Sequence, residues 1–210
     1  MKFGKTIAVV LASSVLLAGC TTDKKEIKAY LKQVDKIKDD EEPIKTVGKK
    51  IAELDEKKKK LTEDVNSKDT AVRGKAVKDL IKNADDRLKE FEKEEDAIKK
   101  SEQDFKKAKS HVDNIDNDVK RKEVKQLDDV LKEKYKLHGE YSKAYKNAVN
   151  SEKTLFKYLN QNDATQQGVN EKSKAIAIEQ NYKKLKEVSE KYTKVLNKVG
   201  KEKQDVDQFK

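Results

Sequence analysis

Apolar residues in this chain return at every third or fourth position and almost never alternate. Val77, Leu80, Ala84, Leu88, Phe91, Ile98, Phe105 and Val112 keep that rhythm through one long segment. Such spacing gathers side chains on one face of an α-helix, whereas a half-buried strand needs every second residue. The stripe is also narrow. Charged residues make up 43% of the chain and hydrophobic residues 34%, against about a quarter and nearly half in ordinary globular domains. Of the 210 residues, 100 are Ala, Glu, Lys, Leu or Arg, with a single Pro and seven Gly. Long or coiled-coil helices have that composition. A doubly wound α/β enzyme or a two-lobed substrate-binding protein needs apolar, β-branched strands and Gly-rich turns that this chain does not supply. The expected fold class is all-α: an elongated antiparallel bundle of long, coiled-coil-like helices.

The stripe divides into arms at polar breaks. Residues 26–66 read as two helices kinked at Pro43, which can open a helix at its first position. Further arms span about 69–112, 119–160 and 171–208. Asp69 or Thr70 can cap the second arm. Asp113 to Asp118 reads as a break, and Asn160 to Ser173 as a polar loop holding Gly168. Lys58, Glu95 and Glu102 fall on seam positions and interrupt the stripe. Four arms of similar length favour a monomeric bundle, with an end-to-end dimer of hairpins as the alternative.

The first residues give an address. Lys2 and Lys5 precede an uncharged apolar run, Thr6 to Leu16. The run is too short to span a bilayer, which needs about 20 residues, and fits a signal peptide over 1–19. Leu17-Ala18-Gly19-Cys20 resembles the lipobox of bacterial lipoproteins, and Cys20 is the one cysteine of the chain. The resemblance implies cleavage between Gly19 and Cys20 and a covalent lipid, acyl chains such as palmitate, on Cys20. Residues 20–25 then form a lipidated tether and 26–210 the helical domain. No internal disulfide can form. The protein is expected on the extracytoplasmic face of the membrane, anchored rather than spanning.

Charge is uneven. Residues 23–118 carry equal numbers of basic and acidic side chains, so the whole mature excess lies beyond them, on the last two arms. Lys outnumbers Arg 47 to 3. Specific base or phosphate recognition favours the planar Arg fork, while a lysine face suits diffuse attraction to a flexible polyanion. The compartment argues against nucleic acid and for anionic wall polymer, teichoic acid or peptidoglycan. Candidate polymer-binding residues are Lys134, Lys136, Tyr141, Lys143, Lys146, Lys183, Lys184 and Lys186. Lysine-rich helix faces are also ordinary solvated surface. Tyr135 and Tyr145 fall on the apolar stripe and are expected to pack, whereas Tyr141 is the better candidate for exposure.

Catalytic patterns are missing. His111 and His138 have no metal-binding spacing, and no nucleophile elbow, P-loop or dinucleotide turn occurs. The chain is therefore read as a non-enzyme with no metal site and no cofactor beyond the covalent lipid. His138 sits on the stripe as a packing residue. Gly139, inside an arm, marks a close helix crossing, a point of flexion or nothing.

The lipobox, the long charged helices, the segments Lys134-Tyr135-Lys136, Tyr141-Ser142-Lys143-Ala144-Tyr145 and Ser151 to Leu159, and the later Ile178-Glu179-Gln180-Asn181-Tyr182 with Tyr192 are similar to the YkyA-type family of cell-wall-binding lipoproteins of Firmicutes. That resemblance implies an all-helical, membrane-anchored envelope protein associated with the wall, and it brings no catalytic residues. Two functions follow as expectations. One is binding of anionic wall polymer through the basic C-terminal helices. The alternative is a helical scaffold or chaperone-like lipoprotein whose interrupted seams hold another exported protein.

Overall fold

A computed structural model describes residues 15–161, 164–175 and 178–210; residues 1–14, most of the expected signal peptide, lie outside them. The described residues form six α-helices and no strand. They are α1 (Val15–Asp40), α2 (Pro43–Asp64), α3 (Thr70–Ala108), α4 (Asp118–Leu159), α5 (Gln166–Ala175) and α6 (Ile178–Asp207), with a 3-10 turn at Lys109–Asn114 between α3 and α4. The all-α bundle expected from the periodicity is the fold observed.

The breaks form for local reasons. Pro43 opens α2 directly after the Glu41–Glu42 turn, because its fixed φ suits a first helical position and its missing N–H costs nothing there. Asp69 caps α3, accepting from the backbone N–H of Ala71 at 2.8 Å and Val72 at 3.3 Å. Asn117 caps α4 in the same way, from Val119 and Lys120, both at 3.1 Å. The expected loop over 160–173 contains a helix instead. Thr165 Oγ1 accepts from the Gly168 N–H at 3.1 Å and so starts α5. A Cβ at Gly168 would meet the Tyr158 hydroxyl, so a larger residue there would push that ring aside.

Four arms result, each antiparallel to the next: α1 with α2, then α3, α4 and α6. The first arm packs along α3, α3 on α4, and α4 on α6. The fourth seam, between the first arm and α6, has few close backbone approaches and is bridged by side chains. The pairs are Lys203–Asp35 at 3.1 Å and Lys58–Tyr182 at 3.3 Å.

The core is uneven along the axis. At the end where α1 begins, Ile27, Leu31, Val34, Phe105, Val124, Leu127 and Val206 make one continuous apolar cluster. Toward the other end the cluster thins to Ala84, Phe91, Tyr145 and Val149. The expected tether at residues 20–25 is not one. α1 already runs through it, and Asp23 is 2% exposed. Its carboxylate accepts from the backbone N–H groups of Asp116, at 2.7 Å, and Asn117, at 3.3 Å. Those donors have no helical partner at the start of α4, and Asp23 satisfies them. Gly139 has open space beside it and marks no helix crossing.

Phe91, fully buried, joins the thin half of the core. Phe91→Ala is expected to cost about 3–5 kcal/mol in urea unfolding. Val72→Ala, at an exposed apolar position, should stay within about 0.5 kcal/mol of the parent.

Candidate functional site

Residues Lys134, His138, Tyr141, Tyr145, Val149, Glu152 and Phe156 recur at three- and four-residue spacing on α4 and so share its inward face. The aromatic members build a layer between α3, α4 and α6. Phe91 stacks on Tyr145 with ring centres 4.3 Å apart and meets the edge of Tyr141 at 5.7 Å. Tyr141 stacks on Tyr192 of α6 at 5.8 Å. His138 packs edge-on to Tyr192 at 5.5 Å and its Nε2 lies 3.1 Å from Glu94. The expected exposure of Tyr141 is therefore corrected. It lies three residues after His138 and four before Tyr145, inside the stripe, and burial pushes its phenol well above the ordinary tyrosine range. Tyr135 packs on Phe105 and donates to Ser101 at 3.3 Å. Tyr158 accepts from the Thr165 N–H at 3.2 Å and holds the turn before α5. The α4 aromatics serve the interior.

Charged members of the same face are paired. Lys134, read as a polymer-binding residue, is 2% exposed. Its ammonium is bonded to Glu41 at the α1–α2 turn and lies over the Tyr135 ring. Burial holds it below the ordinary lysine range, against the pull of Glu41. It occupies a core position of α4 and faces no solvent. Deeper along the bundle, Arg87 of α3 is 1% exposed. Its Nε donates to Asn83 at 3.1 Å, one terminal nitrogen donates to Asp55 at 3.2 Å, and the other is bonded to Glu152. Lys58 reaches Glu152 at 2.8 Å from α2, and Tyr182 donates to the same carboxylate from α6. All four arms meet at this one cluster. Burial raises the Glu152 carboxyl, but Arg87 and the bonds from Lys58 and Tyr182 outweigh it and hold the group below the ordinary range. Lys58 thus fills the seam it was expected to interrupt. Glu95 does likewise, accepting from Ser142 and from Lys146 at 2.7 Å. Glu102, half-buried, pairs with Lys106 at 3.0 Å.

The remaining lysines divide by helix. On α4, Lys146 and Lys153 bridge to Glu95 and Asp85 of α3, while Lys136 and Lys143 are exposed and in no ion pair among the described residues. On α6, Lys183, Lys184 and Lys186 are exposed and equally unpaired. So are Lys191, Lys194, Lys198 and Lys201, which the sequence reading did not single out. The signal for them was available. Helix α6 packs chiefly on α4 and buries Val188, Val195 and Val206, so most of its circumference meets water. Its exposed lysines run from Lys183 to Lys201, about 27 Å along the helix.

Two clefts open along the fourth seam. One, about 450 Å³, lies beside the Arg87 cluster between Lys58, Tyr145, Tyr182 and Leu185. The other, about 550 Å³, has Val34, Ile37, Leu131, Leu196 and Val199 along its walls. Among the described residues no group of His, Cys, Asp or Glu is arranged to hold a metal ion, and no helix is long and apolar enough to cross a membrane.

Fold and surface together define an elongated helical-bundle protein with a solvated lysine face. The chain belongs to the YkyA family, described as "Putative cell-wall binding lipoprotein", whose pattern matches residues 25–209. It is 24% identical over 214 residues to "Uncharacterized lipoprotein YkyA" of Bacillus subtilis (strain 168), covering 97% of this chain and 91% of that protein. It also superposes on a 1.6 Å crystal structure of a conserved protein of unknown function from Staphylococcus aureus. That match has 92% identity and a TM-score of 0.82, and covers 90% of this chain and 95% of the other. The family is one of binding lipoproteins rather than of known enzymes.

Glu152→Gln leaves Arg87 and Lys58 without their shared anion and is expected to cost about 3 kcal/mol in urea unfolding at neutral pH. The lowered Glu152 carboxyl stabilises the fold above the ordinary carboxylate range, and that contribution is lost as pH falls through its folded pKa. The gap between parent and variant should therefore narrow on acidification, which parallel urea titrations down to about pH 3 would read.

Proposed function

We propose that the mature protein begins at a lipid-bearing Cys20, stands on the extracytoplasmic face of the cell membrane, and binds anionic cell-wall polymer through the exposed lysines of α6. Lys136 and Lys143 of α4 add to that charge. The observation that carries this reading is the sorting of the lysines. Those of α4 that point inward or toward α3 are consumed by Glu41, Glu95 and Asp85, whereas Lys183, Lys184, Lys186, Lys191, Lys194 and Lys198 on α6 are exposed and in no ion pair among the described residues. A row of flexible ammonium groups attracts a phosphate-rich chain without demanding one fixed geometry. The family description is consistent with wall association. The lipid is the one covalent group this reading requires.

A second reading keeps the scaffold alternative. The cleft walled by Val34, Ile37, Leu131, Leu196 and Val199 offers apolar surface to a segment of another exported protein. It is the less favoured reading because that cleft also carries Lys38, Asp39, Glu41, Glu42 and Lys203.

Co-sedimentation of residues 21–210 with purified wall sacculi separates the two. Polymer binding should weaken by about tenfold or more between low and moderate salt. It should also require teichoic acid on the sacculi. Reversing Lys183, Lys184 and Lys186 to Glu should reduce it strongly, while Lys134→Met should leave it unchanged. Salt-insensitive retention would contradict the electrostatic account.

A further inference from the structure

We infer that the bundle rests end-on against the lipid headgroups, with Val119 on the membrane-facing surface and the α2–α3 turn at the far end. The inference rests on the reading of Cys20 as the lipid-bearing residue. Only Thr21 and Thr22 separate that residue from Asp23, which is 2% exposed and bonded to the backbone at the start of α4. At a helical rise of about 1.5 Å per residue, the lipid is attached within about one turn of a fixed point on the bundle. No slack is left for a hinged stalk.

The end that is held this way has a defined face. Helices α1 and α4 both start there and α6 finishes there. Side chains on a helix tilt toward its N-terminus, so the first-turn residues of α1 and α4 lean out of this end. Val119, in the first turn of α4, is 67% exposed, more than the other exposed large apolar residues, Val72 and Leu196 at 41% and 40%. Of those two, Val72 lies at the opposite end and Leu196 lines a cleft. An apolar side chain beside a lipid attachment point finds its solvent in the headgroup–acyl boundary. The charged groups around it are mixed. Lys24, Lys25, Lys122 and Lys210 are exposed, as are Asp113, Asp116 and Asp118, with Arg121 bonded to Asp118. These groups leave a small positive excess, which favours contact with anionic lipid and so acts in the same direction as the anchor and Val119. Upright, the α2–α3 turn stands about 60 Å from the membrane, the length of α4 at helical rise, and α6 presents its lysines along that height.

The test uses the lipid-modified protein in vesicles of phosphatidylcholine and phosphatidylglycerol, 3:1. Cys20 is the sole native cysteine and its thiol is blocked by lipid, so Val119→Cys or Lys68→Cys places a single nitroxide at either end of the bundle. Both positions are exposed, so the label disturbs little packing. Power saturation with dissolved oxygen and with a water-soluble nickel chelate reads the surroundings. The oxygen-to-nickel accessibility ratio is expected to be several-fold higher at 119 than at 68, with 68 matching a label free in buffer. Protein that floats with the vesicles but gives equal, water-like ratios at both sites would overturn the stance alone. Protein that fails to float would overturn the lipid reading and the stance together.

Discussion

Arg87 carries a guanidinium into the interior of the bundle, and the thin half of the fold is arranged around it. Taking such a charge out of water costs several kcal/mol unless its donors are met. Here Asn83, Asp55 and Glu152 meet them, and Lys58 and Tyr182 complete the Glu152 carboxylate. The five partners come from α2, α3, α4 and α6. A slip of any arm by one turn would strand a buried charge. A purely apolar seam penalises such a slip far less, since one Leu fits much like another. Narrow stripes thus limit how much oil-like core the chain can build, and paired charges supply the register that the missing apolar area does not.

That division has a dynamic consequence. The end at which α1 starts holds the larger apolar cluster, from Ile27 and Leu31 to Phe105, Val124 and Val206. The far end relies on the aromatic layer and the ionic cluster, and opens into a cleft beside Arg87. Few buried apolar contacts mean cheap local opening, so the far end is the part that loosens first. In the proposed stance, the rigid end stands at the membrane and the looser end reaches toward the wall.

Much of the fold was legible in the sequence because its code is local. The three-four rhythm marked the arms, Pro43 the kink, and Asp69 a cap. The misjudged positions are those where a tertiary partner decides. The sequence places Tyr135 and Tyr145 on the apolar stripe and leaves Tyr141 for solvent, yet Tyr141 lies between His138 and Tyr145 on the inward face, where Phe91 and Tyr192 receive it. Lys134 was counted as surface charge because a lysine is seldom buried, and nothing local announces Glu41, 93 residues earlier in the chain. The tether expected at residues 20–25 is replaced by helix because the donors that bury Asp23 belong to the start of α4, far along the chain. The excess of positive charge beyond residue 118 was visible as a number. Its concentration on the solvated side of α6 depended on knowing which α4 lysines the acids of the first arm and α3 consume.

The same pairing separates structure from function in this protein. Lysines and the arginine that face acids across a seam hold the arms together, and those on α6 that pair with none among the described residues are the ones the proposed function draws on. The claim that the interior charges act as one structural unit is tested most directly by a double-mutant cycle on Arg87→Ala and Glu152→Ala, read by urea unfolding. The account predicts a coupling of about 1–3 kcal/mol, with the second substitution costing far less once the first is made. Effects that add to within about 0.5 kcal/mol would show that the two residues contribute independently and that the cluster does not set the register.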